Sequence, residues 1–298
     1  MHRSMLLFLT AIGKGTAGMA DYHLCCKVIS RGQGRSATAA AAYRAAERIY
    51  DRRTGLEHDY ERKRGVVRSE VLLPRDAPER WLDRGELWNA VEAAETRSNS
   101  RLSREFELAL PRELCRDEQF ELARGWAERE LVSRGMCADV CMHDRGDGNP
   151  HAHIMCTTRE AGPDGFGAKN RDWNDKALLV EWRKSWECDQ NMALERHYER
   201  ERTPERDRAY VDCRSYEARG IDREPTVHEG PRRARDRVAR ARALRRGGPR
   251  VRAGHRPCPR ERADHGAERP GRASKWYNLI APCASCITPV KERTLTSG

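Results

Sequence analysis

The sequence predicts an α+β domain: a mainly antiparallel β-sheet flanked by helices. Three observations point to it. Short stretches that alternate apolar and polar residues recur along the first 160 residues. Longer stretches of helical period fall between them irregularly, without the regular strand–helix repeat of a parallel sheet. Two of the strands are neighbours in the chain, separated only by the polar, glycine-containing loop 144–150, which reads as a hairpin.

The elements follow in order. Residues 22–29 alternate and read as a strand, and 31–35, with two glycines, as a turn. Ser36 offers a capping hydroxyl to the alanine-rich stretch 37–49, which is strongly helix-forming and carries Tyr43 in its middle. Residues 51–60 are turn-rich and fit a hairpin; 66–73 read as a strand ended by Pro74. Residues 78–97 form a helical pattern with Trp81, Leu87, Trp88 and Val91 on one apolar stripe. In 102–110, Phe106, Leu108 and Leu110 share one face, and Glu105 and Glu107 share the other. A second long helix over 116–134 is stopped by Gly135. Strands follow over 136–143 and 151–158, and a third long helix over 172–196 carries Trp173, Trp182 and Trp186.

The formal net charge of the 298 residues is +11, which suggests a nucleic-acid partner, but its distribution qualifies that reading. Residues 230–272 hold 15 arginines against 4 acids, whereas the first 229 residues carry 39 bases and 41 acids. The excess therefore belongs to an Arg/Pro/Gly/Ala-rich tail over 230–298 that lacks a hydrophobic period and is expected to be disordered. A local bias remains in the body, where 27–68 holds 11 bases and 5 acids, a sign that suits a phosphate backbone. No apolar run approaches the roughly 20 residues of a membrane span. Eleven cysteines, odd in number and unevenly spaced, argue for a reducing compartment, the cytoplasm, over a secreted disulfide framework. Residues 1–18 weakly resemble a signal peptide but run almost directly into the first strand. We expect Met19 to be the natural start, residues 1–18 to be an extension outside the fold, and 19–229 to be the functional domain. Cys283 and Cys286 form a lone CxxC without the second pair a zinc site needs.

Two features carry chemistry. His143, His151 and His153 flank the hairpin loop. Alternation points His151 and His153 the same way, and the hairpin brings His143 beside His151, so three imidazoles converge on one sheet face while Ala152, Ile154 and Cys156 face the core. An HxH pair alone arises by chance roughly 0.3 times in a chain of this histidine content; the third histidine at a strand–loop–strand offset strengthens it. Three neutral imidazoles with open positions suit a divalent catalytic metal. Asp139, four residues before His143 on the same face, is a candidate to orient a ligand histidine. The second feature is Tyr43, set among small side chains that let its helix approach a sheet or a DNA strand closely while the phenol projects. Arg31, Arg35, Arg44 and Lys63 are candidate contacts to a nucleic-acid backbone.

Several segments together resemble the MobA/MobL plasmid relaxases of the HUH endonuclease superfamily: Tyr22-His-Leu with Lys27-Val-Ile-Ser-Arg, the run from Ser36 through Tyr43-Arg-Ala, Glu105-Phe-Glu-Leu-Ala-Leu-Pro, and His143 followed by Asn149-Pro-His-Ala-His. Arg171-Asp-Trp-Asn-Asp-Lys-Ala-Leu-Leu and Arg214-Ser-Tyr-Glu-Ala-Arg-Gly-Ile-Asp continue the likeness, which runs from about Met19 to Glu229. The resemblance implies a ferredoxin- or RRM-like palm and an enzyme that nicks one strand at a transfer origin through a 5′-phosphotyrosyl link. It implies Tyr43 as nucleophile, His143, His151 and His153 as ligands of Mn²⁺ or Mg²⁺, and an acidic residue, Glu105 or Glu107, as the base. It further implies single-stranded DNA, accessory relaxosome proteins and a coupling protein as partners, with no membrane insertion. The tail departs from the longer C-terminal regions of many members, so primase or helicase activity finds no support. Two alternatives remain open: a rolling-circle replication initiator or transposase of the HUH type, and a non-enzymatic, metal-stabilised single-stranded DNA-binding protein. The tyrosine precedes the histidines, the order of relaxases.

Overall fold

The computed structural model describes residues 22–215 and 217–222. The expected leader, the arginine-rich tail and the Cys283–Cys286 pair lie outside the described residues. The described residues fall into two units, divided between Cys213 and Arg214. The second contributes one short turn of 3-10 helix, Glu217–Arg219.

The first unit is built on a five-stranded antiparallel sheet. Its strands are β1 (Leu24–Ser30), β4 (Val66–Leu72), β5 (Arg101–Ala109), β6 (Ala138–His143) and β7 (His151–Cys156), in the spatial order β1-β5-β7-β6-β4. Helices α1 (Ala37–Ala45) and α2 (Arg84–Ala94) cover one face, and α3 (Arg116–Glu130) and α4 (Lys176–Arg200) the other. The two-residue period of the strands divides the core accordingly. Phe106, Leu108, Val140, Ala152, Ile154 and Cys156 pack with Trp126, Trp182 and Trp186 of α3 and α4. Ile29, Val71 and Met155 pack with Ala41, Ala42, Leu87 and Trp88 of α1 and α2. Each such large apolar side chain, once buried, stabilises the fold by about 1.5–3 kcal/mol. The α+β architecture, the antiparallel pairing and the β6–β7 hairpin are those the sequence predicts. Trp182 and Trp186, i and i+4 on α4, are core residues, both almost fully buried.

The sequence pattern mistakes several boundaries. The alanine helix ends at Ala45, because Ala46 turns into the left-handed region at φ 58°. The chain then forms a small hairpin of β2 (Arg48–Asp51) and β3 (Leu56–Asp59), in which Ile49 is buried between exposed Arg48 and Tyr50. The stretch expected to be one helix over 78–97 is a 3-10 turn, Glu79–Leu82, followed by α2; Asp83 separates them and accepts the Glu86 N–H at 2.8 Å as the N-cap. Asp175 caps α4 in the same way, after the 3-10 turn Asp172–Asn174. A second hairpin, β8 (Arg159–Gly162) with β9 (Gly165–Lys169), has no clear alternation and escapes sequence reading.

Helix α1 is held at its start by two buried carboxylates. Ser36 Oγ accepts the Ala39 N–H at 3.2 Å, and Asp51 accepts the hydroxyls of Ser36 and Thr38 at 3.0 and 2.8 Å. Glu92 accepts the Ala37 N–H at 2.7 Å. Burial by itself would raise the Asp51 carboxyl, but hydrogen bonds from Thr38, Thr54 and Ser36 hold it below the usual range. Ala37, Ala41 and Ala42 face the sheet and α2, and Ala45 is buried as well, so the helix lies close to both. Any larger side chain there must lift the helix that carries Tyr43. Ala42→Leu is expected to destabilise the protein by about 1–3 kcal/mol through overpacking. Urea unfolding measures this; an unchanged midpoint would show that the contact is loose.

Candidate active site

The three histidines meet because hairpin register brings them together. His143, the last residue of β6, pairs directly with His151, the first of β7, and Cys141 pairs with His153. All three side chains emerge on the α1/α2 face, with ring centroids 5.4, 4.8 and 5.1 Å apart, close to an equilateral triangle. One ligand atom from each lies within 4.8 Å of the others. The loop between the strands is shaped by two Asx-type turns: Asp144 accepts the Gly146 N–H at 2.7 Å, and Asp147 accepts the Asn149 N–H at 3.2 Å.

Each imidazole has one nitrogen committed to an oxygen acceptor. His143 Nε2 lies 2.7 Å from the Arg44 carbonyl, His151 Nδ1 lies 2.8 Å from the Asn149 carbonyl, and His153 Nδ1 lies 2.8 Å from Glu105 Oε1. Carbonyl and carboxylate oxygens only accept, so the nitrogens facing them carry the proton. The lone pairs left over belong to His143 Nδ1, His151 Nε2 and His153 Nε2. Metal-bound histidines use this arrangement, one N–H fixed by an oxygen and the other nitrogen donating to the ion. Burial draws the His143 imidazolium down to about 3, against the pull of the Arg44 carbonyl, and Lys63 and the other histidines add to the effect. Burial also lowers His151. Both rings are therefore neutral at neutral pH, the form that donates to a metal. The donor set of three imidazole nitrogens fits a divalent ion.

Tyr43 stands on the last turns of α1, about half exposed (46%). Its ring meets Tyr60 edge-on, with centroids 5.3 Å apart, and lies 4.5 Å beneath the Lys63 ammonium. The same Lys63 Nζ is 3.4 Å from His143 Nε2, so one side chain touches both the phenol ring and the histidine cluster. Burial, Arg145 and Arg44 lower Lys63 to about 8, with Cys141 acting in the opposite sense.

Glu105 lies at the centre of the site. Arg44 Nε and Nη2 donate to its two oxygens at 2.5 and 2.6 Å, and His153 donates to Oε1. Burial would raise this carboxyl, but the His153 and Arg44 bonds outweigh it and bring it to about 2. Such a carboxylate is a weak base at neutral pH. Glu107 is bound to Lys27 at 2.5 Å and is also held below its ordinary range, burial opposing and Lys27 prevailing.

The remaining sequence candidates divide. Asp139 shares the histidine face but touches none of the three rings. Arg84 Nε at 2.9–3.0 Å and Trp88 Nε1 at 2.9 Å hold its carboxylate, fastening α2 to the sheet. The acid that orients a histidine is Glu105, one strand over. Arg31 is turned inward onto the carbonyls of Glu92, Glu95 and Arg97 and the Glu92 carboxylate, and Arg44 onto Glu105. Neither guanidinium is open to a nucleic-acid backbone; Arg35 is exposed and Lys63 lines the site. Tyr60 escaped the sequence reading because its role depends only on where the β2–β3 hairpin returns the chain.

The sequence matches the MobA/MobL family over residues 35–237. Mobilization protein MobL of Acidithiobacillus ferridurans is 40% identical over 248 residues, covering 72% of this chain and 62% of that protein. Conjugal transfer protein TraA of Agrobacterium fabrum is 37% identical over 237 residues, covering 71% of this chain and 21% of that protein. The chain thus spans less than two thirds of either relative. A solved structure described as the molecular basis of vancomycin resistance transfer in Staphylococcus aureus aligns with a TM-score of 0.60 at 37% identity, covering 66% of this chain and 100% of that one. No helix among the described residues is long and apolar enough to cross a membrane.

The buried Arg44–Glu105 pair generates a pH prediction. The folded Glu105 carboxyl, at about 2, lies below an unfolded value of roughly 4.3. Its stabilisation is therefore complete above that unfolded value and is lost as pH falls toward 2. Glu105→Gln removes the charge and leaves a buried guanidinium uncompensated, at a cost of about 3 kcal/mol at pH 7. Its deficit relative to wild type should shrink in urea titrations at pH 3. A deficit that stays constant across that window would assign the stabilisation to shape alone.

Proposed function

The chain belongs to the MobA/MobL family, and from that premise we propose that it is a relaxase that nicks one strand at a plasmid transfer origin and reseals it. The observation that carries this reading is the histidine triad, each ring held by an oxygen and left with one free lone pair, beside a half-exposed tyrosine. In the proposed reaction Tyr43 Oη attacks the scissile phosphorus in line with the leaving 3′-oxygen. A tyrosyl phosphodiester forms at the 5′ end as the O3′–P bond breaks. The phenol loses a proton and the 3′-oxygen gains one, so the exchange is neutral in protons. One phosphodiester replaces another, and resealing needs no outside source of energy.

A divalent ion held by His143, His151 and His153 would polarise the phosphoryl group, a contribution of several kcal/mol. An all-nitrogen donor set favours a transition-metal dication such as Mn²⁺ over Mg²⁺. The residues of the chain supply position and charge. Helix α1, fixed at both ends, presents the phenol. Tyr60 meets its ring edge-on, and the Lys63 ammonium lies over the ring face and brings positive charge next to the phenol. Glu105, as a weak base, serves to hold His153 and Arg44 in place, and the phenolic proton passes to another acceptor. The single-stranded substrate, the accessory relaxosome proteins, the coupling protein and a cytoplasmic site of action belong to the same proposal. The order of tyrosine before histidines supports a relaxase over a replication initiator.

Tyr43→Phe should retain affinity for Mn²⁺ and for a transfer-origin single strand while losing the covalent protein–DNA band on a denaturing gel. His151→Ala should lower Mn²⁺ affinity by at least tenfold in calorimetry and slow adduct formation with it. An adduct formed by Tyr43→Phe at the wild-type rate would remove the nucleophile assignment. Full metal binding by His151→Ala would remove the ligand assignment.

A further inference from the structure

A recess of about 550 Å³ opens beside the site, lined by Lys63, Arg64, Gly65, Arg116, Asp144, Arg145 and Gly146. It holds four cations and one carboxylate. That carboxylate is already engaged: Asp144 Oδ2 accepts Arg116 Nε and Nη2 at 3.2 and 3.1 Å. Arg64 and Arg145 are exposed, and neither has an ion-pair partner among the described residues. Like charges gathered without counter-charge create a positive potential that an anion relieves.

The backbone is shaped around this arrangement. The Asp144 N–H donates to the Gly65 carbonyl at 2.9 Å, joining the two loops. Gly65 has φ +94°, and a Cβ there would lie 2.8 Å from Arg145 Cγ. Only a residue without a side chain lets the Arg145 stem cross at that point. On the open side, nothing lies within 4 Å of where a Cβ of Gly146 would stand. The recess adjoins the reaction centre through one shared side chain, because Lys63 lines it while lying 4.5 Å over the Tyr43 ring and 3.4 Å from His143 Nε2.

We infer that this recess binds a backbone phosphate of the single strand, next to the phosphodiester that reaches Tyr43, with Arg64 and Arg145 as its ligands. The inference rests on the relaxase reading and adds to it a second anchoring point for the strand. Neither arginine is implied by the family resemblance of the motifs, and both contacts are with phosphate, so they position the strand without reading its sequence.

The test uses the full chain and a labelled transfer-origin single strand, with affinity measured across a range of salt concentrations. For single strands, each phosphate contact contributes about 0.7 to the slope of log affinity against log salt. Arg64→Ala/Arg145→Ala should flatten the slope by about 0.7, the share of the one phosphate that both arginines hold. Arg64→Lys/Arg145→Lys should keep most of the slope. Strands carrying a single methylphosphonate, walked through the nucleotides flanking the nick, locate the contact. One position should weaken wild-type binding severalfold and have no effect in the alanine variant. If the wild type binds and forms its adduct while the alanine variant keeps the same slope and the same methylphosphonate profile, the recess is not a phosphate site and the relaxase reading stands. If the wild type neither binds the strand nor forms an adduct, both fall together.

Discussion

The Arg44 guanidinium closes on the Glu105 carboxylate through two hydrogen bonds of 2.5 and 2.6 Å, and the carbonyl of the same residue accepts His143 Nε2 at 2.7 Å. Glu105 in turn accepts His153 Nδ1 at 2.8 Å. The residue next to Tyr43 is thus tied to two of the three histidines, to one by its backbone and to the other through a carboxylate. The carbonyl it offers is among those a helix leaves unpaired in its last turn, so the histidine also completes the helix end. Tyr43 cannot move along the helix axis without breaking a buried charge pair and a backbone cap together. Alanines at 37, 41 and 42 make this closeness possible, and the carboxylates of Asp51 and Glu92 hold the opposite end.

The electrostatics follow from the same packing. Three imidazoles under about 6 Å apart, with Lys63 and Arg44 alongside, would repel one another strongly if protonated. Burial is the larger penalty, and Lys63 and the two other histidines add to it, so His143 is drawn down to about 3. His143 and His151 are kept as neutral donors by the cost of charging them. Glu105 supplies one negative charge, and Arg44 neutralises it. The surroundings of Tyr43 are left net positive, the sign a phosphodiester requires.

The hairpin with its three histidines was legible because strand alternation and a short loop fix the relative placement of side chains within a few residues. Ala152, Ile154 and Cys156 face the opposite core for the same reason. Long-range partners were not legible. Nothing in the local sequence separates Asp139, which is claimed by Arg84 and Trp88 from α2, from Glu105, which reaches His153 from the adjacent strand. The choice depends on strand order, and β5 lies beside β7 although 41 residues part their ends. Helix ends were misjudged where one residue decides, as when Ala46 takes a left-handed conformation that alanine does not ordinarily favour.

Composition could not show which cations are free. The stretch 27–68 reads as a basic patch, yet Arg31, Arg44 and Arg53 satisfy buried carboxylates and carbonyls, and Arg48 faces three acids across the β2–β3 hairpin. These arginines hold the frame. Among the described residues, the cations left without acidic partners beside the site, Lys63, Arg64 and Arg145, come from two segments far apart in sequence that meet where β4 begins and β6 ends. That division has a chemical logic under the relaxase reading. A strand exchange that must run backwards needs a phenol that returns to the same place and a strand that does not drift away once it is cut. Rigid, internally paired arginines serve the first requirement, and exposed, unpaired ones serve the second. One guanidinium cannot do both, because a group already neutralised by a buried carboxylate has little attraction left for a phosphate.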